Sequence, residues 1–176
     1  IAIAPTIGGT LSYLFGSSSY GNYPDIQALW GQYNKTAEME KRKSIVITGS
    51  TSGIGFGLAG AFLDRGCSVA ISGHSQVNLD RARSALTGKY EESRLLFLLC
   101  EVSHYEKVEG LWNAAKAKFG SIDIWINNAG SAVPMMKLWE LSPEQYDRVV
   151  RTNIIGTLYG SHVALRGMLL EGHGAL

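Results

Sequence analysis

A glycine-rich segment, TGSTSGIG at residues 48–55, is the part of this sequence whose residue types and spacing point most directly to chemistry. Glycine makes up 21 of the 176 residues, and five of these glycines fall between positions 49 and 60. The segment follows an apolar run at 44–48 and precedes an amphipathic stretch. Between a strand and a helix, glycines let a pyrophosphate approach the backbone, and the N–H groups at the helix start attract its charge. We therefore predict a dinucleotide phosphate site here; a glycine turn that serves only helix packing is the simpler alternative.

Three further groups of small or polar residues stand where apolar runs end. They are Gly73-His74-Ser75 after SVAIS (68–72), Glu101-Val102 just beyond LLFLL (95–99), and NNAG (127–130) at the end of IDIWIN (122–127).

The elements that must position these residues alternate along the chain from Ser44 onward. Short apolar runs, typical of strands buried on both faces, are separated by longer amphipathic stretches. The predicted strands are 44–48, 68–72, 95–99 and 122–127, and the predicted helices are 54–65, 76–86 and 105–118. This alternation predicts an α/β fold with a parallel sheet and crossover helices. Ala175 and Leu176 are interpreted as the first step of a fifth strand.

Residue patterns also mark one face on each of three predicted helices. Gly57 and Gly60 are predicted to give helix 54–65 a small-residue face for close packing on the first strand. On helix 105–118 the apolar stripe comprises Val108, Leu111, Trp112, Ala115 and Phe119. Ser142 and Pro143 are predicted to open a long helix that ends near Gly172. One face of that helix is predicted to comprise Val150, Ile154, Thr157, Ser161, Ala164, Leu165 and Met168.

Together the motifs resemble the fingerprint of the short-chain dehydrogenase/reductase family. TGxxxGxG at 48–55, NNAG at 127–130 and Asn153 within TNIIGT occur in that family's order and spacing, over residues 44–176. The resemblance implies an oxidoreductase with a Rossmann fold, a three-layer doubly wound parallel sheet in the strand order 3-2-1-4. It also implies that the chain holds the N-terminal part of that domain, after an extension or linker at residues 1–43.

Site residues follow from the resemblance, position by position. The residues expected to line the pyrophosphate and the adenosine ribose are Gly49, Ser50, Thr51, Gly53, Ile54 and Gly55. Asn128, Ala129 and Gly130 are expected to lie along the cofactor, and the Asn127 side chain to tie neighbouring strands together. Glu101 and Val102 stand where the family often has an Asp-Val pair that contacts adenine.

The end of the second predicted strand bears on the choice of cofactor. An acidic residue there accepts a hydrogen bond from the ribose 2′-OH of NAD, and a cation after it favours the 2′-phosphate of NADP. The sequence has Gly73 at the first position, followed by His74 and Ser75. Because an imidazole and a hydroxyl can donate to a phosphate and no acidic residue is present, NADP(H) is favoured over NAD(H). The alternative for His74 is a loop histidine that faces water.

Of the family's catalytic set, the resemblance identifies only Asn153 in this chain. The family uses a Tyr as general acid/base, a Lys four residues later that lowers the tyrosine pKa, a Ser that orients the carbonyl, and an Asn that supports a proton-relay water. None of the eight tyrosines has Lys at the fourth following position. In the family the Ser, Tyr and Lys come after the fifth strand. We therefore predict that these 176 residues belong to a longer enzyme and are inactive or poorly soluble alone.

A narrower resemblance links GSTSGIGFGLAGAFLDRGCSVAISGHSQ, DIWINNAG and VALRGMLLEGHGAL to the chlorophyll b reductase branch of that family. It implies reduction of the formyl group of chlorophyll(ide) b in a chloroplast; outside that branch the expected location is cytoplasmic. The alternatives are a reductase of a lipid, sterol or sugar carbonyl, and a dinucleotide-sensing module without catalysis. Trp139 is expected in a loop near the substrate side, and a homo-oligomer is expected for the longer protein.

Composition excludes several other classes of function. Sixteen basic against 15 acidic residues give a net charge of +1, too small to attract nucleic acid or an anionic membrane. Cys67, Cys100 and the four scattered histidines lack metal-ligand spacing, so no metal site is predicted. The first 24 residues carry no formal charge but include no run of about 18 apolar residues, so only this extension offers a route to membrane association.

Overall fold

The computed structural model describes residues 42–133 and 135–176. The predicted N-terminal extension lies outside these residues except for Arg42 and Lys43, and its boundary after residue 43 stays a prediction. Within the described residues, no helix is both long and apolar enough to cross a membrane.

Four parallel strands form one sheet in the predicted order 3-2-1-4. The strands are β1 (Ser44–Ile47), β2 (Ser68–Gly73), β3 (Leu95–Leu99) and β4 (Ile124–Ile126). Val46 of β1 pairs with Ala70 of β2 and with Trp125 of β4, and all three side chains are fully buried. Strands covered on both faces must be apolar throughout, which is why the sequence shows continuous runs here.

Among the described residues, five α-helices surround the sheet. They are α1 (Gly53–Asp64), α2 (Gln76–Leu86), α3 (Tyr105–Phe119), α4 (Pro143–Val150) and α5 (Gly156–Glu171). The first three agree with the predicted bounds to within one residue. Ser142 opens α4 as predicted, with a capping box in which its N–H donates to Gln145 Oε1 at 2.8 Å. Gly172, with φ of +73°, ends α5.

The two faces of the sheet carry separate apolar cores, which gives the predicted three layers. On one face, α1 and α2 pack on Ile45, Ile47 and Ile71. On the other face, α3 and α5 pack together, and the predicted stripe of α3 is confirmed. Trp112 of α3 lies so near Gly167 of α5 that a Cβ there would be 2.0 Å from the indole. The crossing of α3 and α5 therefore requires a residue without a side chain.

The predicted long helix is divided by a π-helical turn at Arg151–Ile155, which joins α4 to α5. One extra residue in a turn rotates everything after it by roughly 100° around the helix axis. Three residues of the predicted face are exposed: Val150, which precedes the turn, Ile154 and Leu165 are 45%, 55% and 47% exposed. The buried residues of α5 are Gly156, Gly160, Val163, Ala164 and Met168.

Ala175 lies at the position of a fifth strand, as predicted. Ala175 forms a parallel bridge with Ile124. Its N–H donates to Asp123 O at 2.9 Å, and its carbonyl accepts from Trp125 N–H at 3.0 Å. The bridge lies on the side of β4 that faces away from β1, where a doubly wound sheet adds its next strand.

Candidate cofactor site

A cleft of about 320 Å³ opens at the carboxyl ends of the strands, between the glycine-rich segment, the end of β2 and the NNAG segment. It is lined by Gly49, Thr51, Ser52, Ile54, Gly55, Gly73, His74, Asn78, Cys100, Glu101, Val102, Asn128, Ala129 and Gly130. Of the residues predicted to contact a cofactor, only Ser50, Gly53 and Ser75 are absent from this lining. Open α/β sheets bind ligands at this kind of position, where the strand order reverses.

The glycine-rich segment and the NNAG segment touch through their backbones. Gly49 has φ of +63°, and a Cβ there would lie 2.6 Å from Ala129 Cα. A Cβ at Gly55 would lie 2.3 Å from Asn128 Nδ2 and 2.7 Å from Gly49 O. Atoms in a close-packed interior do not approach so closely, so both positions require glycine. The resulting contact forms one wall of the cleft.

Thr48 and Asn128 fix this contact with hydrogen bonds. The Thr48 hydroxyl donates to Ile126 O at 3.3 Å and accepts from the N–H groups of Asn128 and Ala129 at 3.0 and 3.1 Å. Asn128 Nδ2 donates to Thr48 O at 2.9 Å and to Gly49 O at 3.0 Å. Asn128 therefore ties the end of β4 to the end of β1.

The prediction that Asn127 ties neighbouring strands is wrong. Its Oδ1 accepts from the indole N–H of Trp125 at 2.9 Å, and its Nδ2 donates to Ser161 Oγ at 3.0 Å. These partners lie on its own strand and on α5. A Cβ at Gly160 would come within 2.0 Å of Asn127 Oδ1. Asn127 therefore holds α5 against the sheet, at a place where the helix must be glycine.

Ser50 does not line the cleft, contrary to the prediction. It is 0% exposed. Its Oγ donates to Ile47 O at 2.7 Å and accepts from Ser72 N–H at 3.0 Å, while its own N–H donates to Ser72 O at 2.7 Å. Because these groups already bind β1 to β2, Ser50 holds the loop in place and leaves the contact with a ligand to its neighbours.

The start of α1 offers unpaired donors beside the cleft. Gly53, with φ of +58°, begins the helix but lies outside the cleft lining, while Ser52 and Ile54 belong to it. The Ser52 side chain makes no capping hydrogen bond. The first N–H groups of a helix have no partner within the helix, so those of α1 keep the capacity to bind an anion.

The end of β2 forms a second wall of the cleft. Gly73, His74 and Asn78 line it, and Thr51 of the glycine-rich segment lies against Gly73. His74 is exposed. Ser75 is outside the lining, because its Oγ caps α2 by accepting from Asn78 N–H at 3.4 Å. This wall therefore presents an imidazole, an amide and a hydroxyl.

The residues after β3 close the third side. Glu101 Oε1 turns back onto its own loop and accepts from the N–H and the hydroxyl of Ser103 at 3.3 and 3.1 Å. Val102 is 5% exposed and packs on Gly156, where a Cβ would lie 2.6 Å from Val102 Cγ2. Burial, and next the Glu101 carboxylate, raise the pKa of the Cys100 thiol from 9.0 to about 11. The thiol is therefore neutral at neutral pH and behaves as a small apolar group.

Asn153, the predicted catalytic residue, lies in the π-helical turn and holds the segment after NNAG. Its Oδ1 accepts from Ser131 N–H at 2.7 Å, and its Nδ2 donates to Ser131 O at 2.9 Å. The Asn153 carbonyl accepts from the Thr157 hydroxyl at 2.8 Å. A Cβ at Gly130 would lie 3.7 Å from Asn153 Oδ1, which places this amide at the NNAG end of the cleft.

A second cavity, of about 460 Å³, lies beyond Glu101. Its lining comprises Glu101, Ser103, Pro143, Glu144, Asp147, Arg148, Arg151 and Thr152. Arg151 Nε and Asp147 Oδ2 pair there at 2.7 Å. This cavity includes no residue of the glycine-rich or NNAG segments, so we do not assign it to the candidate site.

The sequence pattern did not indicate Ser52, Asn78 and Cys100 as lining residues. Asn78 had a signal: Ser75 reads as a helix cap, and a cap lies beside the residue three positions on. Cys100 simply continues an apolar run, so no sequence signal marks it. Among the described residues, no cluster of three His, Cys, Asp or Glu side chains could hold a metal ion.

The predicted packing role of Gly57 and Gly60 is wrong. A Cβ at either position would meet nothing within 4 Å. The buried positions of α1 are Gly55, Ala59 and Leu63, spaced four residues apart. The presence of small residues therefore did not identify the packed face of α1. A spacing of four residues from Gly55 does identify it.

Fold and cleft together define the class of this protein: a doubly wound α/β domain of the Rossmann type with a cleft at its topological switch point. The model of the short chain dehydrogenase family matches residues 43–176. The chain therefore belongs to the short-chain dehydrogenase/reductase family of oxidoreductases.

Relatives and solved structures agree with this assignment. The chloroplastic chlorophyll(ide) b reductase of Oryza sativa subsp. japonica is 34% identical over 145 residues, 82% of this chain and 42% of the relative. A 3alpha-hydroxysteroid dehydrogenase of Mediterraneibacter gnavus is 28% identical over 138 residues, 78% of this chain and 55% of the relative. A short chain dehydrogenase/reductase from Burkholderia phymatum, solved in complex with NAD, superposes with a TM-score of 0.71 at 27% identity, covering 77% of this chain and 47% of that one. The chain thus spans about half the length of these proteins.

Proposed function

We propose that this chain is the cofactor-binding part of an NADP(H)-dependent oxidoreductase that reduces the carbonyl group of a small molecule. The cleft at the carboxyl ends of the strands, with the glycine-rich segment on one wall and NNAG beside it, carries the proposal. Extra side chains at Gly49 and Gly55 would collide with neighbouring backbone. The cleft wall is therefore bare backbone, as a pyrophosphate requires.

The donor set fits a nicotinamide dinucleotide. The uncapped N–H groups of α1 supply phosphate contacts, and the helix dipole adds to their attraction. When bound, the dinucleotide supplies the hydride for carbonyl reduction. The proposed contacts are Gly49, Thr51, Gly53, Ile54, Gly55, His74, Ser75, Glu101, Val102, Asn128, Ala129 and Gly130.

The wall formed by the end of β2 favours NADP(H) over NAD(H). Its lining includes His74 and Asn78, both of which carry N–H donors for a 2′-phosphate. Gly73 has no side-chain acceptor for a ribose 2′-OH. Among the lining residues that the structure describes, Glu101 carries the sole formal charge, and its carboxylate accepts from Ser103.

Exposed apolar side chains in the loop after NNAG favour a large, flat, apolar substrate. Met135, Leu138 and Trp139 expose most of their surface within five residues. The loop is nevertheless held in place, because Tyr146 donates its hydroxyl to Leu138 O. The Lys137 ammonium lies 5.6 Å from the centre of the Trp139 ring and 3.9 Å from Glu140 Oε1, so an ion pair stands beside the apolar surface. Exposed apolar patches of this kind mark binding surfaces.

Chlorophyll(ide) b, reduced at its formyl group, is the substrate that we propose. A chlorin ring matches the exposed Trp and Met side chains. The similarity to the rice reductase supports both this substrate and a chloroplast location. In this proposal Asn153 positions Ser131 at the reacting end of the cleft. The Tyr and Lys of the family belong to the part of the protein after residue 176. The longer protein forms a homo-oligomer.

Binding measurements test the cofactor half of the proposal. Titration of the chain with 2′,5′-ADP and with 5′-AMP isolates the contribution of the 2′-phosphate to binding affinity. Titration with NADPH and with NADH makes the same comparison for the whole cofactor. We expect the 2′-phosphorylated ligands to bind more tightly, and His74→Ala to remove most of that difference. His104→Ala, an exposed histidine outside the cleft lining, is the matched control. A clear preference for NADH would overturn the cofactor assignment.

Enzyme assays of the complete protein test the substrate half. We expect NADPH oxidation in step with loss of the formyl absorption of chlorophyllide b. If the protein reduces a 3-ketosteroid and leaves chlorophyllide b unchanged, the substrate assignment is wrong. If the residues after 176 lack Tyr-x-x-x-Lys, the dinucleotide-sensing alternative replaces the enzyme.

A further inference from the structure

Gly73, the last residue of β2, is kept free of a side chain by Thr51. A Cβ at Gly73 would lie 2.7 Å from Thr51 Oγ1, 2.8 Å from Thr51 Cγ2 and 3.4 Å from Thr51 Cβ. The first two distances are shorter than any normal contact, and the third is an ordinary one. Both branches of the threonine therefore occupy the space into which a side chain at position 73 would grow.

Backbone conformation does not explain the glycine at this position. Gly73 is a regular strand residue paired with Leu99, and its φ is not positive. Any residue could adopt that backbone. The three heavy atoms nearest to such a Cβ all belong to Thr51. Because both heavy atoms on its Cβ face Gly73, a rotation about χ1 still leaves one of them near that space in most rotamers.

The position of this pair gives it a consequence for ligand choice. Thr51, Gly73, His74 and Asn78 line the same wall of the cleft. An acidic residue at the end of the second strand is the group that accepts the ribose 2′-OH of NAD. Thr51 blocks such a residue and presents a hydroxyl, which can donate to a phosphate, in the same place.

We propose that Thr51 is a specificity-determining residue, which excludes an acidic side chain at position 73 and so directs the cleft toward a 2′-phosphorylated dinucleotide. The inference rests on the proposed dinucleotide function of the cleft. It adds that the glycine-rich segment and the end of β2 choose the cofactor as a coupled pair, so that neither residue alone can reverse the preference.

A double-mutant cycle in the full chain tests this coupling. The variants are Gly73→Asp, Thr51→Ala and the double variant, and the measured quantity is the ratio of the dissociation constants for NADH and NADPH. We expect Gly73→Asp alone to weaken both cofactors, because Thr51 forces the new carboxylate out of place. In the double variant the Ala Cβ leaves room, and NADH affinity should exceed that of Gly73→Asp by about tenfold or more.

Two further variants separate the volume of Thr51 from its hydroxyl. Thr51→Val keeps both branches, so Thr51→Val/Gly73→Asp should fail to bind NADH as Gly73→Asp does. Thr51→Ser keeps the hydroxyl and removes one branch, so it should retain NADPH affinity in the Gly73 background. Because the readout is a ratio of two affinities, partial unfolding of a variant lowers both and leaves the ratio unchanged.

The outcomes separate this inference from the proposed function. If Gly73→Asp alone acquires the full gain in NADH affinity, Thr51 exerts no control and the inference is overturned, whatever the wild-type preference. If the wild-type chain prefers NADH, the proposed cofactor is wrong, but a non-zero coupling between positions 51 and 73 still supports the steric part. If neither dinucleotide binds the wild-type chain, both proposals fail.

Discussion

The two ends of the parallel sheet are held together in opposite ways. At the carboxyl end, two chain segments meet at glycines: Gly49 lies against the Ala129 backbone, and Gly55 against the Asn128 side-chain amide. At the amino end, a long side chain crosses between segments. Arg94 Nε donates to Cys67 O at 3.1 Å, and its Nη2 donates both to that carbonyl at 2.8 Å and to Leu63 O.

This difference explains why the cleft lies at the carboxyl end of the sheet. Bare backbone at the carboxyl end leaves N–H groups and space accessible to a ligand, and the cleft of about 320 Å³ lies there. At the amino end the Arg94 guanidinium donates to the carbonyls of Cys67 and Leu63. We therefore expect substitutions at the carboxyl end to change ligand binding, and substitutions at the amino end to change stability alone.

The largest effect is expected for Gly55→Ala. The new methyl group would lie 2.3 Å from Asn128 Nδ2 and 2.7 Å from Gly49 O, so the helix start and the NNAG segment must separate. Overpacking of this kind costs about 3 kcal/mol at its upper end. Urea unfolding should show that loss of stability, and cofactor titration should show no binding under native conditions. A variant of wild-type stability and affinity would contradict the backbone-contact account of the cleft wall.

Arg94→Met tests the amino end. Methionine keeps much of the aliphatic stem but removes the donors to Cys67 O and Leu63 O, which are only partly buried. Hydrogen bonds from a charged group are worth roughly 1.5–3 kcal/mol, so we expect a loss of about 2 kcal/mol in the free energy of unfolding. Cofactor affinity, measured by fluorescence titration, should change less than about twofold. A large loss of affinity would mean that the two ends are coupled.

Cys100 at the carboxyl end and Cys67 at the amino end allow the two ends to be compared through the pH dependence of stability. Burial raises the pKa of both Cys100, to about 11, and Cys67, where the nearby Arg94 and Arg65 charges oppose the effect of burial. Because the folded state holds the Cys100 proton more tightly than the unfolded state, stability is fully present below about pH 9 and is lost as pH rises toward about 11. We expect Cys100→Ala to reduce this alkaline loss by about 1 kcal/mol, and Cys67→Ala to reduce it less.

Urea unfolding at neutral and at alkaline pH measures this difference. The comparison among wild type and the two variants removes the contribution of lysines and tyrosines, which titrate in all three proteins. Equal effects of the two variants on the alkaline loss of stability would show that the thiol at the cleft end is no more strongly desolvated than the thiol at the amino end.

The contrast between the two ends also marks what the sequence could predict. Continuous apolar runs predicted all four strands, and the stripe from Val108 to Phe119 predicted the face of α3, because burial directly shapes those patterns. The direction of a hydrogen bond leaves no such pattern. Ser50 and Asn127 therefore occupy the predicted positions but have other partners. Ser50 hydrogen-bonds to β1 and β2 and leaves the ligand to its neighbours, and Asn127 hydrogen-bonds to α5 and not to a neighbouring strand.

The π-helical turn and the glycines show a second limit. One extra residue at Arg151–Ile155 changes the helix register without changing composition, so periodicity carried across it does not separate the exposed Leu165 from the buried Ala164 and Met168. Glycine likewise looks the same in sequence whether it is crowded, as at Gly55, or open, as at Gly57. Only the distance to a neighbouring segment distinguishes the two, and that distance depends on residues more than seventy positions away.

The smallest effect, and one of opposite sign, is expected for Gly57→Ala, which is the matched control for Gly55→Ala on the same helix. A Cβ at Gly57 would meet nothing within 4 Å, and the residue is exposed in the interior of α1. Replacing glycine by alanine in an exposed helix interior stabilises it by about 1 kcal/mol, since the unfolded chain loses conformational freedom. The midpoint of urea unfolding should rise while cofactor affinity stays at the wild-type value. A loss of affinity would mean that α1 must flex to admit its ligand, and the crowded and open glycines would then share one function.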